Sequence, residues 1–420
     1  MRVHGFVRPP GDKSLTHRAL IFGALARGRS EIRGALTSAD TRTTARVVRQ
    51  LGASAGPLRA GSTVTVTGAP WRAPRDTLHC GNSGTTARLM LGALAGHAFA
   101  CRLTGDASLR RRPMRRVTEP LVRMGAGVTA RGDGLPLTIR GGALRGIDYR
   151  SPVASAQIKS AILLAALTGG VRVTVHEPRR SRDHTERLLQ HLGLRVEITG
   201  ATVGFDGTAR RAIDGFAMTV PGDPSSAAFL VGAAVLAEGG ELVIENVGVN
   251  PTRSGFLEVL RRMGAAVDRC GERDVGGEPV ADLLVRPAAA LRGADVSPEE
   301  VPSLIDEIPL LAALAARASG ETRFRDVGEL RVKESDRLGL LARNLRSLRV
   351  DAEVQGDDLV VRGASVPPRG RVETGGDHRI AMAFAVLGTV PGAAVELAET
   401  DSVGISYPGF FDDLAAIRDG

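Results

Sequence analysis

The sequence predicts an α/β protein made of six copies of one unit, which divide most simply as three and three. Three observations carry that prediction. A polar start, a small-residue apolar run and a closing glycine recur from Asp12, Asn82, Ser155, Asp223, Asp306 and Asp377, at intervals of 70, 73, 68, 83 and 71 residues. A helix end with a glycine turn keeps the same beat at Leu51-Gly52-Ala53, Met124-Gly125-Ala126, Leu192-Gly193-Leu194 and Met263-Gly264-Ala265, with Leu348-Arg349-Val350 a degenerate fifth. Glycine just past a helix end supplies the left-handed residue that closes it. Third, β-like runs follow these turns, at Val64–Val66, Leu137–Ile139, Val196–Ile198, Leu283–Val285 and Leu359–Val361. A fixed period of this kind marks a repeated supersecondary unit, here with two helices and several strands per copy.

The composition narrows the class. At 420 residues the chain is long enough for two or more cores, and 43% hydrophobic with 24% charged residues is ordinary for a globular protein. Aromatics are scarce at 3% while glycines number 52, so Ala and Gly fill the core. The formal charge of +9 comes from arginines scattered through every copy, and no basic run sits beside an aromatic platform. That argues against nucleic acid and for a small anionic substrate. Three cysteines, Cys80, Cys101 and Cys270, are too few and too far apart for a disulfide framework or a zinc site. The eight histidines form no HxxxH pair and there is no GxxxxGK[ST] loop, so neither a metal nor a cofactor is expected. The start MRVHGFVRPPGDK has no apolar signal core and no run reaches 18 apolar residues, which predicts a cytoplasmic protein in a reducing compartment.

The copies differ in what their helix starts carry. In the first, Lys13, Ser14 and Arg18 lie within about 1.5 turns of a helix N-terminus, which already bears roughly half a positive charge. Cations there make sense if all three reach one anion; the bland alternative is a solvated, capped end. Asp40, Thr41, Arg42 and Thr44 open the unit's second helix, Thr41–Leu51. The second copy begins Gly81-Asn82-Ser83-Gly84-Thr85-Thr86-Ala87-Arg88, glycines flanking hydroxyls that leave backbone amides bare for an anion. The loop Gly105–Pro113 then carries Arg110, Arg111 and Arg112. Such a run is usually a solvated face, or one of the three closes over a phosphate or carboxylate with a bidentate fork.

In the third copy Ser155, Gln157 and Lys159 alternate near the helix start, hydrogen-bonding groups suited to a polyhydroxylated ligand. Ser181–Thr185 reads as a helix cap, with Arg182 adding charge to the ligand site and His184 structural. Asp206–Pro221 reads as the passage between halves. The fourth copy starts Asp223-Pro224-Ser225-Ser226 without a cation and is expected to be structural, satisfied by its own caps. Pro279–Pro309 is the longest insertion.

The fifth copy opens on Asp306 and Glu307, comfortable at a helix start by the dipole argument, or a general base for a bound hydroxyl if the helix starts converge. Next comes Leu330-Arg331-Val332-Lys333-Glu334-Ser335-Asp336-Arg337-Leu338, leading into a helix with Leu338, Leu341, Leu345 and Leu348 on one face. Lys333 and Arg337, four apart, would repel by a few tenths of a kcal/mol on a bare helix, with Glu334 between them in sequence. The cluster is either a surface ion-pair network or an acid kept ionised among cations to move a proton. Asp377-His378-Arg379 places a cation at the sixth start.

Together these motifs closely resemble the 5-enolpyruvylshikimate-3-phosphate (EPSP) synthase family of enolpyruvyl transferases. PGDKSLTHR, GNSGTTAR, GDASLRRRP, SAQIKSA, SRDHTE, PGDPSS, IDEIP, LRVKESDRL and GDHRIAMAF occur in family order over nearly the whole chain. The resemblance implies a two-domain inside-out α/β barrel of six βαβαββ repeats, three per domain, with the active site in the cleft. The first domain would span 12–221 and the second 222–420, completed by 1–11. It implies transfer of the enolpyruvyl group of phosphoenolpyruvate to the 5-hydroxyl of shikimate 3-phosphate with release of phosphate, by addition and elimination through a tetrahedral intermediate. No metal, cofactor or covalent nucleophile is implied, and a monomer sensitive to glyphosate is expected.

Carried over by motif position, Lys13, Ser14, Arg18, Ser155, Ala156, Gln157, Asp306 and Lys333 resemble the shikimate 3-phosphate contacts. Lys13, Gly84, Arg112, Gln157, Arg337 and Arg379 resemble the phosphoenolpyruvate contacts, with Thr85, Arg88, Arg182 and His378 as additional candidates. Asp306 resembles the base acting on the 5-hydroxyl, Glu334 the group exchanging protons with the methylene carbon, and Lys13 an aid to the departing phosphate. The sequence departs from the pattern at Ile405, where many members have a lysine, at Glu329, where some have an asparagine, at Ala156, where some have a second serine, and at Thr37-Ser38-Ala39-Asp40, which lacks the more usual second acid. Two rivals remain. A UDP-N-acetylglucosamine enolpyruvyl transferase typically has a cysteine where this chain has Ala107. A non-catalytic repeat protein binding anionic metabolites would be weakened by keeping both Asp306 and Glu334.

Overall fold

The computed structural model describes residues 1–209 and 213–418. Residues 210–212, within the passage expected at Asp206–Pro221, lie outside the described residues. The chain forms two compact units. The N-terminal unit comprises Gly11–Val220 with Val275–Glu278; the C-terminal unit comprises Met1–Pro10, Pro221–Asp274 and Pro279–Gly420.

Three inner helices, Lys13–Leu25, Gly84–Ala95 and Ala156–Gly169, form the centre of the N-terminal unit. They are apolar nearly all round rather than on one stripe, as a helix surrounded by protein must be. Their small residues permit close approach: a Cβ on Gly92 would lie 2.2 Å from the Ala161 carbonyl oxygen of the neighbouring inner helix. The outer helices Ala39–Gln50, Arg115–Arg123 and His184–His191 bury one face only.

The second and third inner helices each connect a parallel strand pair, and an antiparallel hairpin then completes a four-stranded sheet. Leu78–His79 pairs parallel with Ala100–Thr104, which pairs antiparallel with Leu137–Arg140, itself antiparallel to Gly127–Ala130. Ile147–Arg150, Arg172–His176, Thr202–Asp206 and Val196–Thr199 repeat that order. The first sheet obtains its parallel strand from the far end of the unit, Ala217–Thr219 against Arg29–Arg33. Along Arg29–Arg33 and Arg172–His176 buried residues alternate with more exposed ones, so each sheet turns one face toward the helices.

The C-terminal unit repeats the plan around Pro224–Val235, Ile308–Ala315 and His378–Leu387. Its first sheet takes Phe6–Val7, from the start of the chain, as the parallel partner of Leu242–Gly248. That pairing attaches the N-terminal segment to this unit. Asp295–Val296, Glu321–Phe324, Asp358–Arg362 and Asp351–Gln355 form the next sheet. The sixth copy departs from the expected uniform repeat: Arg369–Val372 pairs parallel with Ala394–Leu397, and the helix Phe410–Ala416 follows where the other copies add a hairpin.

The glycine turns behave as the spacing predicts. Gly52, Gly125, Gly193 and Gly264 have φ of 114°, 110°, 77° and 91°, and Arg349 takes the same left-handed position at φ 63°. The degenerate fifth signature is therefore a helix end of the same geometry, at the steric cost that glycine avoids. Among the described residues no helix is long and apolar enough to cross a membrane, and no group of three His, Cys, Asp or Glu is placed to hold a metal.

Candidate active site

In the N-terminal unit Arg18, Arg88 and Arg112 donate to neutral acceptors, whereas the lysines lie against carboxylates. Asp12 caps the first helix, its carboxylate accepting from Leu15 N at 2.8 Å. Arg18, 3% exposed, donates from Nε to Thr185 Oγ1 (2.7 Å), and from its two terminal nitrogens to Ser14 O (3.0 Å) and Ser160 Oγ (2.8 Å). Burial lowers this guanidinium's pKa to about 10, and Glu186 opposes that effect. Lys13 instead lies 3.5 Å from Asp40 at the start of the next helix. Lys13 and Arg18, expected on one anion, thus lean on different protein partners.

At the second helix start Ser83 caps by accepting from Thr86 N at 3.1 Å. Gly84 opens the helix, and a Cβ there would come within 2.8 Å of an Arg88 guanidinium nitrogen and 3.5 Å of one on Arg112. A side chain at this place would therefore crowd the Arg88 guanidinium and touch that of Arg112. Arg88 donates to Gln157 Oε1 (2.8 Å) and Pro113 O (3.1 Å), while Gln157 Nε2 donates to Thr85 Oγ1 (3.2 Å). Of the three consecutive arginines, Arg110 and Arg111 are exposed and Arg112 is buried. Arg112 is held by Asn82 Oδ1 (2.6 Å), Asn82 O (3.2 Å) and Ser108 Oγ (3.2 Å). Two of the three thus face solvent, and the third is turned inward.

The third start differs in one respect from expectation. Ser155, Ala156 and Gln157 are half-buried, but Lys159 is 1% exposed and turns inward to Glu177 (2.7 Å) and Glu186 (2.8 Å). It cannot serve as a ligand group like its neighbours. Arg182 is half-buried and near enough to Arg18 to help lower its pKa. His184 bonds Glu278 at 2.7 Å in a buried, structural pair.

In the C-terminal unit the cations are matched to carboxylates. The chain over 333–336 is not helical and the helix begins at Arg337, so Lys333 and Arg337 are not the like-charge helix pair the spacing suggested. Arg337, 1% exposed, reaches Asp377 (2.8 Å), Glu334 (2.5 Å) and Asp306 (3.3 Å). Burial would lower its pKa, but Asp377, Glu334 and Asp306 outweigh that and raise it. Burial alone would raise the Asp377 carboxyl; Arg337, then His378, outweigh it and hold it below the usual range. Lys333 Nζ lies 3.6 Å from Asp306, and burial lowers its pKa against the opposing pull of Asp306 and Glu329. Arg379 donates to Asp306 O at 2.9 Å and approaches Glu307 at 3.6 Å. Asp306 and Glu307 are therefore held by arginines, which the dipole reading alone did not anticipate.

The fourth helix start is also not satisfied by local caps alone. Arg253, 2% exposed, donates to Asp223 (3.1 Å) and Ser225 (2.9 Å), and Ser225 in turn bonds Glu307. The sequence reading missed Arg253 because it stands 30 residues after Asp223, outside any helix-start pattern. Ser160, Thr185 and Asn82 escaped in part for the same reason: they act on arginines distant in sequence. Ile405 and Glu329 are both half-buried, each in a short 3₁₀ segment.

A family model described as EPSP synthase (3-phosphoshikimate 1-carboxyvinyltransferase) matches residues 1–414. A 3-phosphoshikimate 1-carboxyvinyltransferase from Halorhodospira halophila is 49% identical over 100% of this chain and 94% of its own length. One from Brevibacillus brevis is 44% identical over 99% of this chain and 98% of its own. Among solved structures, EPSP synthase from Acinetobacter baumannii superposes with a TM-score of 0.86 at 39% identity, covering 99% of this chain and 95% of that one. The enolpyruvyl transferase NikO from Streptomyces tendae shares the fold, with a TM-score of 0.77 at 21% identity over 99% and 95% of the two chains. The motifs, the repeated α/β architecture and these full-length matches place the chain in the EPSP synthase (3-phosphoshikimate 1-carboxyvinyltransferase) family.

Proposed function

We propose that the chain transfers the enolpyruvyl group of phosphoenolpyruvate to the 5-hydroxyl of shikimate 3-phosphate and releases inorganic phosphate. The 5-hydroxyl oxygen bonds to C2 of phosphoenolpyruvate while C3 gains a proton. The tetrahedral intermediate then loses a C3 proton and phosphate, restoring the double bond. Full-length relatives near half identity support this reaction over transfer to a UDP-sugar, as does Ala107 in place of that rival's cysteine.

Lys13, Ser14, Arg18, Ser155, Ala156, Gln157, Asp306 and Lys333 bind shikimate 3-phosphate in this reading. Lys13, Gly84, Arg112, Gln157, Arg337 and Arg379 bind phosphoenolpyruvate, with Thr85, Arg88, Arg182 and His378 as additional candidates for the site. Asp306 takes the hydroxyl proton, Glu334 exchanges protons with C3, and Lys13 assists phosphate departure. The observation that carries the assignment is the fully buried Arg337, bonded at once to Glu334, Asp306 and Asp377. One fixed cation orients two candidate acid–base groups, as proton transfer at two centres requires.

Phosphate release by the purified protein tests the reading. Release that needs both substrates, with the enolpyruvyl product seen by mass spectrometry, is expected; release from neither combination overturns it. We also infer a cytoplasmic monomer, for which sedimentation at 44.0 kDa tests the oligomeric part.

A further inference from the structure

The N-terminal unit buries a second ionic cluster that the proposed chemistry does not use. Lys159, Glu177 and Glu186 have side chains only 1% exposed. Four donors converge on the single carboxylate of Glu177. Its Oε1 accepts from Ser155 N (3.1 Å) and Ser181 Oγ (2.5 Å), and its Oε2 accepts from Lys159 Nζ (2.7 Å) and Ser181 N (3.3 Å). Ser155 is the residue before the inner helix Ala156–Gly169, and Ser181 immediately precedes Arg182. One carboxylate therefore ties together two loops that carry substrate contacts in the reading above.

The same cluster reaches the third contact. Ser160 follows Lys159, Thr185 precedes Glu186, and both hydroxyls hold the Arg18 fork while bonding each other at 2.7 Å. Burial raises the Glu186 carboxyl against the pull of Lys159, while Lys159 is raised above its ordinary value because its two carboxylates outweigh its own burial. Buried ions with one partner removed are costly, so the carboxylates and Lys159 hold each other in place.

We propose that Glu177 is a positioning residue for shikimate 3-phosphate: it fixes the Ser155 and Ser181-Arg182 loops, through four hydrogen bonds, at the spacing this substrate requires. This rests on the site assignment above. It concerns shikimate 3-phosphate first, because the four hydrogen bonds come from Ser155, Lys159 and Ser181, none of them assigned to phosphoenolpyruvate.

Glu177→Gln tests it. The amide keeps the shape, but its NH2 replaces one oxygen and faces two of the four donors, so two of the four hydrogen bonds are lost and the junction of the loops loosens. The expected result is a KM for shikimate 3-phosphate raised on the order of tenfold, with the KM for phosphoenolpyruvate within about twofold of the parent. A purely structural role would lower thermal stability and the active fraction, hence apparent kcat, and leave both KM values unchanged. That result, or an equal rise in both, overturns the proposal. Ser181→Ala removes one of the four donors and keeps all three buried charged groups, so it is the milder variant to use should the first not fold; it is expected to raise the same KM alone, by less. The parent protein run alongside separates the two readings, since failure of the parent to release phosphate sinks the reaction, whereas an active parent with unaltered variants sinks only the role of Glu177.

Discussion

The helix starts of the two units use opposite electrostatic designs. In the N-terminal unit Arg18, Arg88 and Arg112 donate to hydroxyls, amide oxygens and backbone carbonyls. A neutral acceptor orients a guanidinium without the charge cancellation that a carboxylate partner brings. In the C-terminal unit Arg253, Arg337 and Arg379 lie against Asp223, Asp377, Glu334, Asp306 and Glu307. There five carboxylates surround three arginines, and what is gained is a set of carboxylates in fixed positions. The contrast separates arginines oriented by neutral groups from arginines oriented by carboxylates.

The largest expected effect comes from breaking the C-terminal design at its centre. Arg337→Met leaves three carboxylates facing one another, and loss of one partner of a buried pair costs about 3–5 kcal/mol. Denaturant unfolding should show that loss, together with loss of turnover; a parent-like midpoint would mean that Arg337 is not the hub. The same pairing sets a pH dependence. Asp377 is held below its ordinary value when folded, so its stabilisation is present above the unfolded carboxyl pKa of about 3.9 and is lost as pH falls from there through the folded value. Unfolding measured downward from pH 6 should show stability falling in that window, and the Arg337→Met variant should show a shallower fall.

Next is Glu334→Gln, which removes one acid–base group and preserves shape. Turnover should drop by about 10²–10⁴-fold while both substrates still bind, as calorimetry would report. Unchanged turnover would remove Glu334 from proton handling and blur the comparison between units.

Smaller effects sharpen the N-terminal side. Arg112→Ala should raise the KM for phosphoenolpyruvate roughly tenfold or more, as loss of a charged hydrogen bond does, and affect shikimate 3-phosphate less. An equal rise for both would show that the cation serves no single anion. Arg110→Ala, two residues away but exposed, should leave both KM values within about twofold and stability within about 0.5 kcal/mol. A large effect at Arg110 would mean that charge count, rather than burial and orientation, determines binding.

The periodic features were legible in the sequence because they are local. A buried helix must be apolar all round, and a left-handed helix end favours glycine, so runs such as Asn82–Gly96 and turns such as Gly125 declare themselves at a fixed spacing. The strands after those turns follow from the same logic. Lys13 and Arg18 stood out because cations at a helix start conflict with a plain structural role, whereas Arg112, Asp306, Glu334 and Arg337 were singled out by the family motifs around them.

Pairing across the chain was decided only by the tertiary structure. Whether Lys159 faces a ligand or Glu177 and Glu186, whether the fourth helix start receives a cation, and which of Arg110, Arg111 and Arg112 is buried all depend on groups far away in sequence. Arg253 meets Asp223 from 30 residues on, and Arg337 meets Asp377 from 40. Likewise Phe6–Val7 finds its strand partner at Val243–Ile244. Hydrophobic period and turn chemistry act over a few residues and are written in the order of the chain. The partner of a buried charge is chosen by desolvation and distance, which exist only after the chain has folded.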